Sequence, residues 1–203
     1  MSLFDTTTHR VDAARRDDIP SIQAFFDANP AYTRMVEGRP VSPNAAAVEF
    51  DEMPPPGMAY GERWFLTVRD RRSGAIDAVL DVVKDLLAPG IWHIGLFFVA
   101  ERLHGQGLAA RLHAALEQWA EAQGARWLRL GVVEQNQRGA RFWRRQGYGF
   151  VCSREAAAAG GRVNNVFCLV KPLGDNTREA YLAAQGRDAL QPEPSAWAAL
   201  NAR

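Results

Sequence analysis

Ile91-Trp-His-Ile-Gly-Leu-Phe-Phe-Val99, Ala100-Glu-Arg-Leu-His104 and Gly105-Gln-Gly-Leu-Ala109, with the continuation to Trp119, constrain the fold more than any other part of the chain. The first nine residues have the length and the β-branched and aromatic content of a buried strand. From Leu108 onward, Leu108, Ala109, Leu112, Ala115, Leu116, Trp119 and Ala120 recur at spacings of three and four, which predicts an amphipathic helix over 106–123. Between strand and helix stand Gly105 and Gly107. A strand, a glycine loop and a helix N-terminus together present unpaired backbone N–H groups and the positive end of a helix dipole to an anion. Without a Cβ at the glycines, phosphate oxygens can come close to the main chain. The stretch reads as a phosphate cradle.

The loop lacks the Gly-Lys-Ser/Thr ending of a P-loop, and no third glycine or later acidic residue completes a dinucleotide fingerprint. What His104-Gly105-Gln106-Gly107-Leu108-Ala109 resembles is the acetyl-coenzyme A loop of the GNAT superfamily of N-acyltransferases, with His where Gln or Arg is usual. A second stretch is similar to that family's other signature, Asn-x-x-Ala-x-x-Phe-Tyr followed after three residues by Gly-Phe. Here Asn136, Gly139, Phe142, Trp143, Gly147 and Tyr148 occupy that register, on a helix predicted over 138–146. The two signatures stand in the right order and separation. Together they cover about Phe97 to Phe150, and the rest of the chain matches by element order.

The resemblance implies a mixed α/β (α+β) fold: a twisted, mostly antiparallel sheet of about seven strands flanked by helices, its central pair parallel and splayed to admit acetyl-coenzyme A. A family domain is expected over 1–173 and a helical or irregular extension over 174–203. It also implies cofactor contacts from Phe97, Phe98, Val99, His104, Gly105, Gln106, Gly107, Leu108, Ala109, Asn136, Phe142 and Trp143. The backbone N–H of Phe98 or Val99 is the expected oxyanion donor. The implied reaction is acetyl transfer from acetyl-coenzyme A, as co-substrate, to a primary amine; the other reading is a catalytically degenerate acetyl-coenzyme A-binding sensor or structural module.

Composition narrows the partners. The 24 basic and 23 acidic residues of the 203 nearly cancel, and the basic ones are scattered, which argues against a nucleic-acid binder. No apolar run reaches membrane-spanning length, and the opening Met-Ser-Leu-Phe-Asp has no secretory pattern. Cys152 and Cys168 suit a reducing compartment, read as two small buried thiols. The expectation is a cytoplasmic monomer or homodimer. The four histidines show no metal-ligand spacing, and no metal is expected.

In chain order, a strand is predicted over 9–14, then a helix capped by Asp17-Asp18 with Pro20 in its first turn and ended by Asn29-Pro30. A proline-rich region to Gly61, with a helix over 43–52, is the acceptor side in the family, so Tyr32, Arg34, Glu37 and Arg39 are candidate acceptor contacts. Strands over 64–68 and 75–83 are joined by the polar turn 70–74. Further strands are predicted over 126–133, 148–153 and 163–170, with 154–161 between the last two. In the tail, a helix over 177–184 precedes Gln191-Pro-Glu-Pro194.

Two departures from the family pattern bear on catalysis. Trp143 stands where many members carry a Tyr acid, leaving Tyr148, a water or no acid at all; Gly131 stands where some carry a Glu base. Strand alternation puts His93 on one face with Gly95, Phe97 and Val99, and its near-neutral imidazole makes it the expected base, ahead of Glu134 and Glu101. Asp81 faces either way on this reading. The competing role for His93 is a hydrogen-bonded core residue.

Overall fold

The structure, a computed structural model, describes residues 2–158 and 161–201. Its strands are β1 (Phe4–Asp5), β2 (His9–Ala13), β3 (Arg63–Asp70), β4 (Ile76–Val83), β5 (Ile91–Val99), β6 (Trp127–Val133), β7 (Gly149–Ala157) and β8 (Val163–Pro172). The helices are α1 (Ile19–Ala28), α2 (Pro30–Glu37), α3 (Ala45–Asp51), α4 (Leu108–Ala122), α5 (Gln137–Arg145), α6 (Arg178–Ala184) and α7 (Ser195–Ala198). The strands form one sheet in the order β1-β2-β3-β4-β5-β6-β8-β7. All neighbours are antiparallel except β5 and β6. The connection between those two runs through α4, the crossover a parallel pair requires.

The expected mixed fold is present, with eight strands instead of about seven. The extra strand, β1, is two residues long, too short for any periodicity, and is anchored by Phe4 stacking on Trp119 of α4 at 5.2 Å. Pro30 starts a helix, contrary to the sequence expectation that it ends one. Asn29, at φ −131° and ψ 57°, breaks α1, and Pro30 then takes the first position of α2, where its missing N–H is harmless. Asp18 does not cap α1 through its side chain; its carboxylate accepts from the Arg15 N–H (2.8 Å) and from Arg69 (2.7 Å). Of the connection predicted over 154–161, β7 takes up residues to Ala157, and Ala159 and Gly160 lie outside the described residues.

The sheet has two apolar faces. Leu66, Leu80, Trp92, Ile94, Val99, Leu128 and Leu130 pack with Leu112 and Leu116 of α4. Phe65, Val79, Leu96 and Phe98 pack on the other side with Ile22, Phe25 and Phe26 of α1. Along β5 the face switches parity, with Trp92 and Ile94 on the α4 side, then Phe97 and Val99 on that same side. The cause is a bulge. Asp81 pairs with Leu96 and Val82 with Ile94, so Gly95 is the extra residue. This corrects the alternation read from sequence. His93 does not share a face with Phe97 and Val99; it lies on the opposite one.

The tail after β8 contributes to the same core. Tyr181 of α6 is buried with Val151, Cys168 and Val170 on one side of the sheet. The chain then passes the edge strand β7, where the Gln191 N–H donates to the Val151 carbonyl (2.8 Å) and the Gln191 side chain accepts from the Ser153 N–H (2.9 Å). Beyond the edge, Trp197 is buried on the opposite face, near Phe150 (6.3 Å) and Phe167 (6.0 Å). The tail thus covers an edge strand that would otherwise offer free backbone groups. Among the described residues no helix is long and apolar enough to cross a membrane. Trp197→Ala is expected to lower the stability of the whole domain by about 3–5 kcal/mol, measured by urea unfolding; separate melting of the tail alone would show that it is not part of the core.

Candidate active site

Beyond Ile94 paired with Leu130, the parallel ladder stops, and β5 and β6 part. The fork opens toward the glycine loop. Residues Glu101–Leu103 make a single tight turn, and the His104 ring, through Nε2, donates to the Val99 carbonyl at 2.9 Å, tying the loop to the end of β5. Gly105 and Gly107 have φ of 81° and 79°, in the region that favours glycine. Gly107 precedes α4 without any side-chain cap, and among the described residues the N–H groups of Gly105 and Gly107 have no protein acceptor. The loop and the first turn of α4 therefore present donors outward, as an anion requires.

A groove of about 720 Å³ runs from this loop into the fork. Phe97, Phe98, Val99, His104, Gly105, Gly107, Ala109, Asn136, Phe142 and Trp143 line it, and Arg138 and Arg145 add positive charge. Two predicted residues do not. The Leu108 side chain is buried in the core, leaving only its N–H available, and the Gln106 amide turns to the Arg102 carbonyl (2.7 Å). The ladder's alternation also decides which backbone N–H groups enter the fork. Because the Ala100 N–H donates to Asp77 on the β4 side, that of Phe98 points the same way, and those of Phe97 and Val99 point into the fork.

One wall is aromatic. Trp143 is buried against Phe97 (5.3 Å), Phe142 (4.9 Å), His113 (5.6 Å) and Tyr148 (5.2 Å). Tyr148 is not a replacement acid. Its hydroxyl is buried and bonded to His113 Nε2 at 3.0 Å, and burial, then Glu117, pushes its pKa well above the ordinary value. His113 is pulled down to about 4, by burial and then Lys171. Asn136 caps α5, its Oδ1 accepting from the Gly139 N–H at 2.9 Å, and still faces the groove.

The opposite wall comes from α2. Asn29 accepts from the Glu101 N–H (2.7 Å), and the Glu101 carboxylate accepts from the Ala31 N–H (2.9 Å), clasping the start of α2 to the turn after β5. Glu101 is therefore a helix-terminal anchor. The clasp sets Tyr32 over Phe98 at 5.2 Å, and Tyr32 and Met35 line the groove. Of the other predicted acceptor contacts, Glu37 pairs with Arg39 at the surface (2.7 Å), and neither they nor Arg34 line the groove. Glu134 accepts from the Asn165 amide at 3.0 Å.

On the same side as Tyr32 lies a group of carboxylates, of which sequence named only Asp81, without a face. Arg63 of β3 bonds the Glu49 carbonyl (2.6 Å) and the Phe50 carbonyl (3.0 Å) of α3, and its Nε lies 2.9 Å from Asp81 Oδ1. Burial, then Glu52 and Asp81, raise Glu49 to about 7. Burial raises Asp81 to about 6 against the opposing pull of Arg63. Tyr32 is 36% exposed as a residue; loss of water around its hydroxyl, then Glu49 and Glu37, push its pKa up to about 12.

His93 is not brought to the groove. Its Nδ1 accepts from Arg129 Nη1 at 3.2 Å, and burial, then Arg129, pull its pKa down to about 3. Arg129 in turn grips Asp188 of the tail, Nε to Oδ2 at 2.8 Å, and Asp188 is also bonded by Arg154 and the Tyr181 hydroxyl. His93 thus adjoins a buried ion-pair network that fastens the tail under β6. Donor atoms of Cys152, Cys168 and Asp188 cluster within 4.8 Å, as do those of His9, Asp70 and Asp77, but cations of the chain already hold Asp188, and His9 and Arg102 hold Asp77.

A fork between parallel strands, a glycine loop leading into it and the helix α2 over it make one continuous groove. The chain belongs to the acetyltransferase (GNAT) family, whose sequence profile matches residues 41–148. Among solved structures, it resembles an acetyltransferase from Thermus thermophilus (TM-score 0.61, 18% identity, 85% of this chain and 100% of that one). It also resembles the Salmonella typhimurium acetyltransferase that modifies the N-terminal serine of the 50S ribosomal subunit protein L7/L12 (TM-score 0.65, 16% identity, 83% and 97%). A GCN5-related N-acetyltransferase from Kribbella flavida matches with TM-score 0.57 and 21% identity over 82% and 98%. These likenesses are of fold. No curated protein matches by sequence.

Burial opposes the charge on Asp188, but Arg129, Tyr181 and Arg154 outweigh it and lower its pKa. Such a group stabilises the fold above the unfolded Asp value of ~3.9, and the contribution is lost as pH falls through the folded value. Asp188→Asn, which leaves Arg129 buried and unpaired, is expected to cost about 3–5 kcal/mol at neutral pH. The gap to the parent protein should stay constant between pH 5 and 7 and narrow below about pH 4, followed by chemical unfolding across that range.

Proposed function

We propose that this protein transfers an acetyl group from acetyl-coenzyme A to a primary amine. The observation that carries the reading is the continuity of one groove from unpaired glycine-loop N–H groups to the point where β5 and β6 part. In this reading the loop and the first turn of α4 hold the diphosphate, with Arg138 and Arg145 beside it. The pantetheine arm lies along Phe97, Phe98 and Val99 and past Asn136, Phe142 and Trp143. The N–H of Phe97 or Val99 takes the charge that develops on the thioester oxygen. The amine enters from the α2 side, past Tyr32 and Met35. Membership of a family of acetyltransferases supports transfer; the choice of amine is open to screening with a free-thiol readout.

Trp143 favours a second reading, binding without turnover, because an indole in the Tyr position has no useful proton to give. The leaving group makes this loss bearable, since coenzyme A departs as a thiolate and cysteine-like thiols titrate near ~8.5. Trp143→Phe should therefore keep turnover within about tenfold, well short of the ~10²–10⁴ that removal of a general acid costs. A larger loss, with folding and acetyl-coenzyme A affinity intact, would show that Trp143 does more than shape the wall.

Gly107→Glu sets bulk and negative charge in the cradle and strains a backbone at φ 79°. Acetyl-coenzyme A should raise the melting temperature of the parent protein and leave that of this variant unmoved while the apo forms remain folded. An equal thermal shift in both would move the diphosphate elsewhere.

A further inference from the structure

Across β5 from the apex of the fork stands a carboxylate, Asp81 of β4. Gly95, the bulged residue, is the first after the last β5–β6 pair at Ile94 and Leu130, and it is solvent-exposed in the middle of a central strand. A Cβ built on Gly95 would stand 2.8 Å from Asp81 Oδ2 and 3.5 Å from Asp81 Cγ. The missing side chain is thus the space into which the carboxylate leans. Asp81 alternates with Leu80 and Val82, which face α4, so it projects to the opposite face, the side of Phe98 and Tyr32. Arg63 Nε stands 2.9 Å from the other oxygen, an ion pair outside hydrogen-bond geometry, and Arg63 is itself fixed to two carbonyls of α3.

We propose that Asp81 is the general base of the reaction, seated by the Gly95 bulge and oriented by Arg63. The proposal rests on the acetyl-transfer reading and adds a residue to it. Leu96, its cross-strand partner, is the neighbour of Phe97, whose N–H enters the fork. From Asp81 the path is one strand crossing, roughly 5 Å, and one residue of β5, roughly 3.3 Å, whereas from His93 it is four residues, roughly 13 Å. Asp81 stands behind the groove lining, on the face of the sheet that carries Phe98; in this proposal an ammonium that enters past Tyr32 gives up its proton there before it reaches the fork.

The proton balance is simple. One proton passes from the ammonium to the Asp81 carboxylate and on to solvent. The freed amine forms a C–N bond at the thioester carbonyl, the C–S bond breaks, and the nitrogen's second proton ends on the departing thiolate. The groups around Asp81 are Arg63 of β3, Glu49 of α3 and Glu52 just after it, with Glu37 and Tyr32 of α2 beyond Glu49. Burial among them places the carboxyl at about 6, ionised yet still basic near neutrality.

The test follows thiol release from acetyl-coenzyme A between pH 5 and 9 with diamines, aminoglycosides and short peptides bearing free N-termini. An amine-free series lets water take the acceptor's place. Asp81→Asn should lower kcat/KM by ~10²–10⁴ and erase the acid limb near pH 6, while the thermal shift with acetyl-coenzyme A persists. Gly95→Ala, which keeps the carboxylate but drives it from its seat, should lower kcat/KM at least tenfold with the same shift retained. It also serves if Asp81→Asn fails to fold. Both variants within tenfold of the parent, with the limb unmoved, overturn the assignment and leave acetyl transfer standing. A limb that survives Asp81→Asn but disappears in Glu49→Gln passes the role to Glu49. A parent protein that binds acetyl-coenzyme A yet releases no thiol in any series overturns the transferase reading itself.

Discussion

Most of what this molecule can do depends on two neighbouring strands ceasing to pair. β5 and β6 share four parallel register positions and then separate, which leaves backbone N–H groups of Phe97 and Val99 without a strand to bond them. In a closed sheet such groups would be a liability, because unpaired main-chain donors away from water are costly. Here the gap opens onto a groove, so a ligand with acceptor groups can satisfy what the sheet does not. The bulge at Gly95 sits at the branch point and switches the parity of β5. Without it, Phe97 and Val99 would leave the α4 face, and the aromatic wall with Trp143 would lose its partner.

Keeping the arms apart requires that each be held from behind. On the β5 side, Leu96 and Phe98 are buried against α1, and the Asn29–Glu101 clasp fixes the start of α2 to the turn after the strand. On the β6 side, Arg129 is anchored by Asp188 of the tail, while Leu128 and Leu130 pack toward α4. A buried charge such as Asp188 is tolerable because Arg129, Arg154 and Tyr181 all reach it. The tail thus supports the arm that lacks a helix clasp, and its two buried aromatics, Tyr181 and Trp197, grip the sheet from both faces.

The sheet and the glycine-loop end of the groove were legible in the sequence because they depend on local pattern. Alternation and apolar runs located the strands, and the spacing from Leu108 to Ala120 located α4. Glycines at 105 and 107 pointed to a loop whose backbone does the work, and that survives any exchange of neighbouring side chains. The end of the groove under α2, and the carboxylates beside it, were much less legible. A bulge cannot be read from a strand of nine residues, and one inserted residue was enough to send His93 to the wrong face. Asp81 and Glu49 are distant in sequence and converge only through Arg63. Leu108 and Gln106 fit a motif by position, yet burial and a local hydrogen bond take their side chains out of the groove.

The exchange of the family's Tyr for Trp143 is easier to understand when the two proton transfers of the proposed reaction are weighed against each other. Freeing an amine whose conjugate acid titrates near ~10.4 costs about 4.6 kcal/mol at pH 7, whereas a thiol near ~8.5 implies only about 2 kcal/mol for leaving as the thiolate. The larger problem is taking a proton from the acceptor, and the chain devotes structure to that side: a bulge, an arginine fixed to α3, and carboxylates lifted toward neutrality by burial. On the thiolate side it has an indole packed between Phe97, His113 and Tyr148, with the phenol of Tyr148 already bonded to His113. A site that must strip a proton but need not supply one can give the acid's position to packing, and in the proposed reaction the wall so formed is what holds the thioester against the fork.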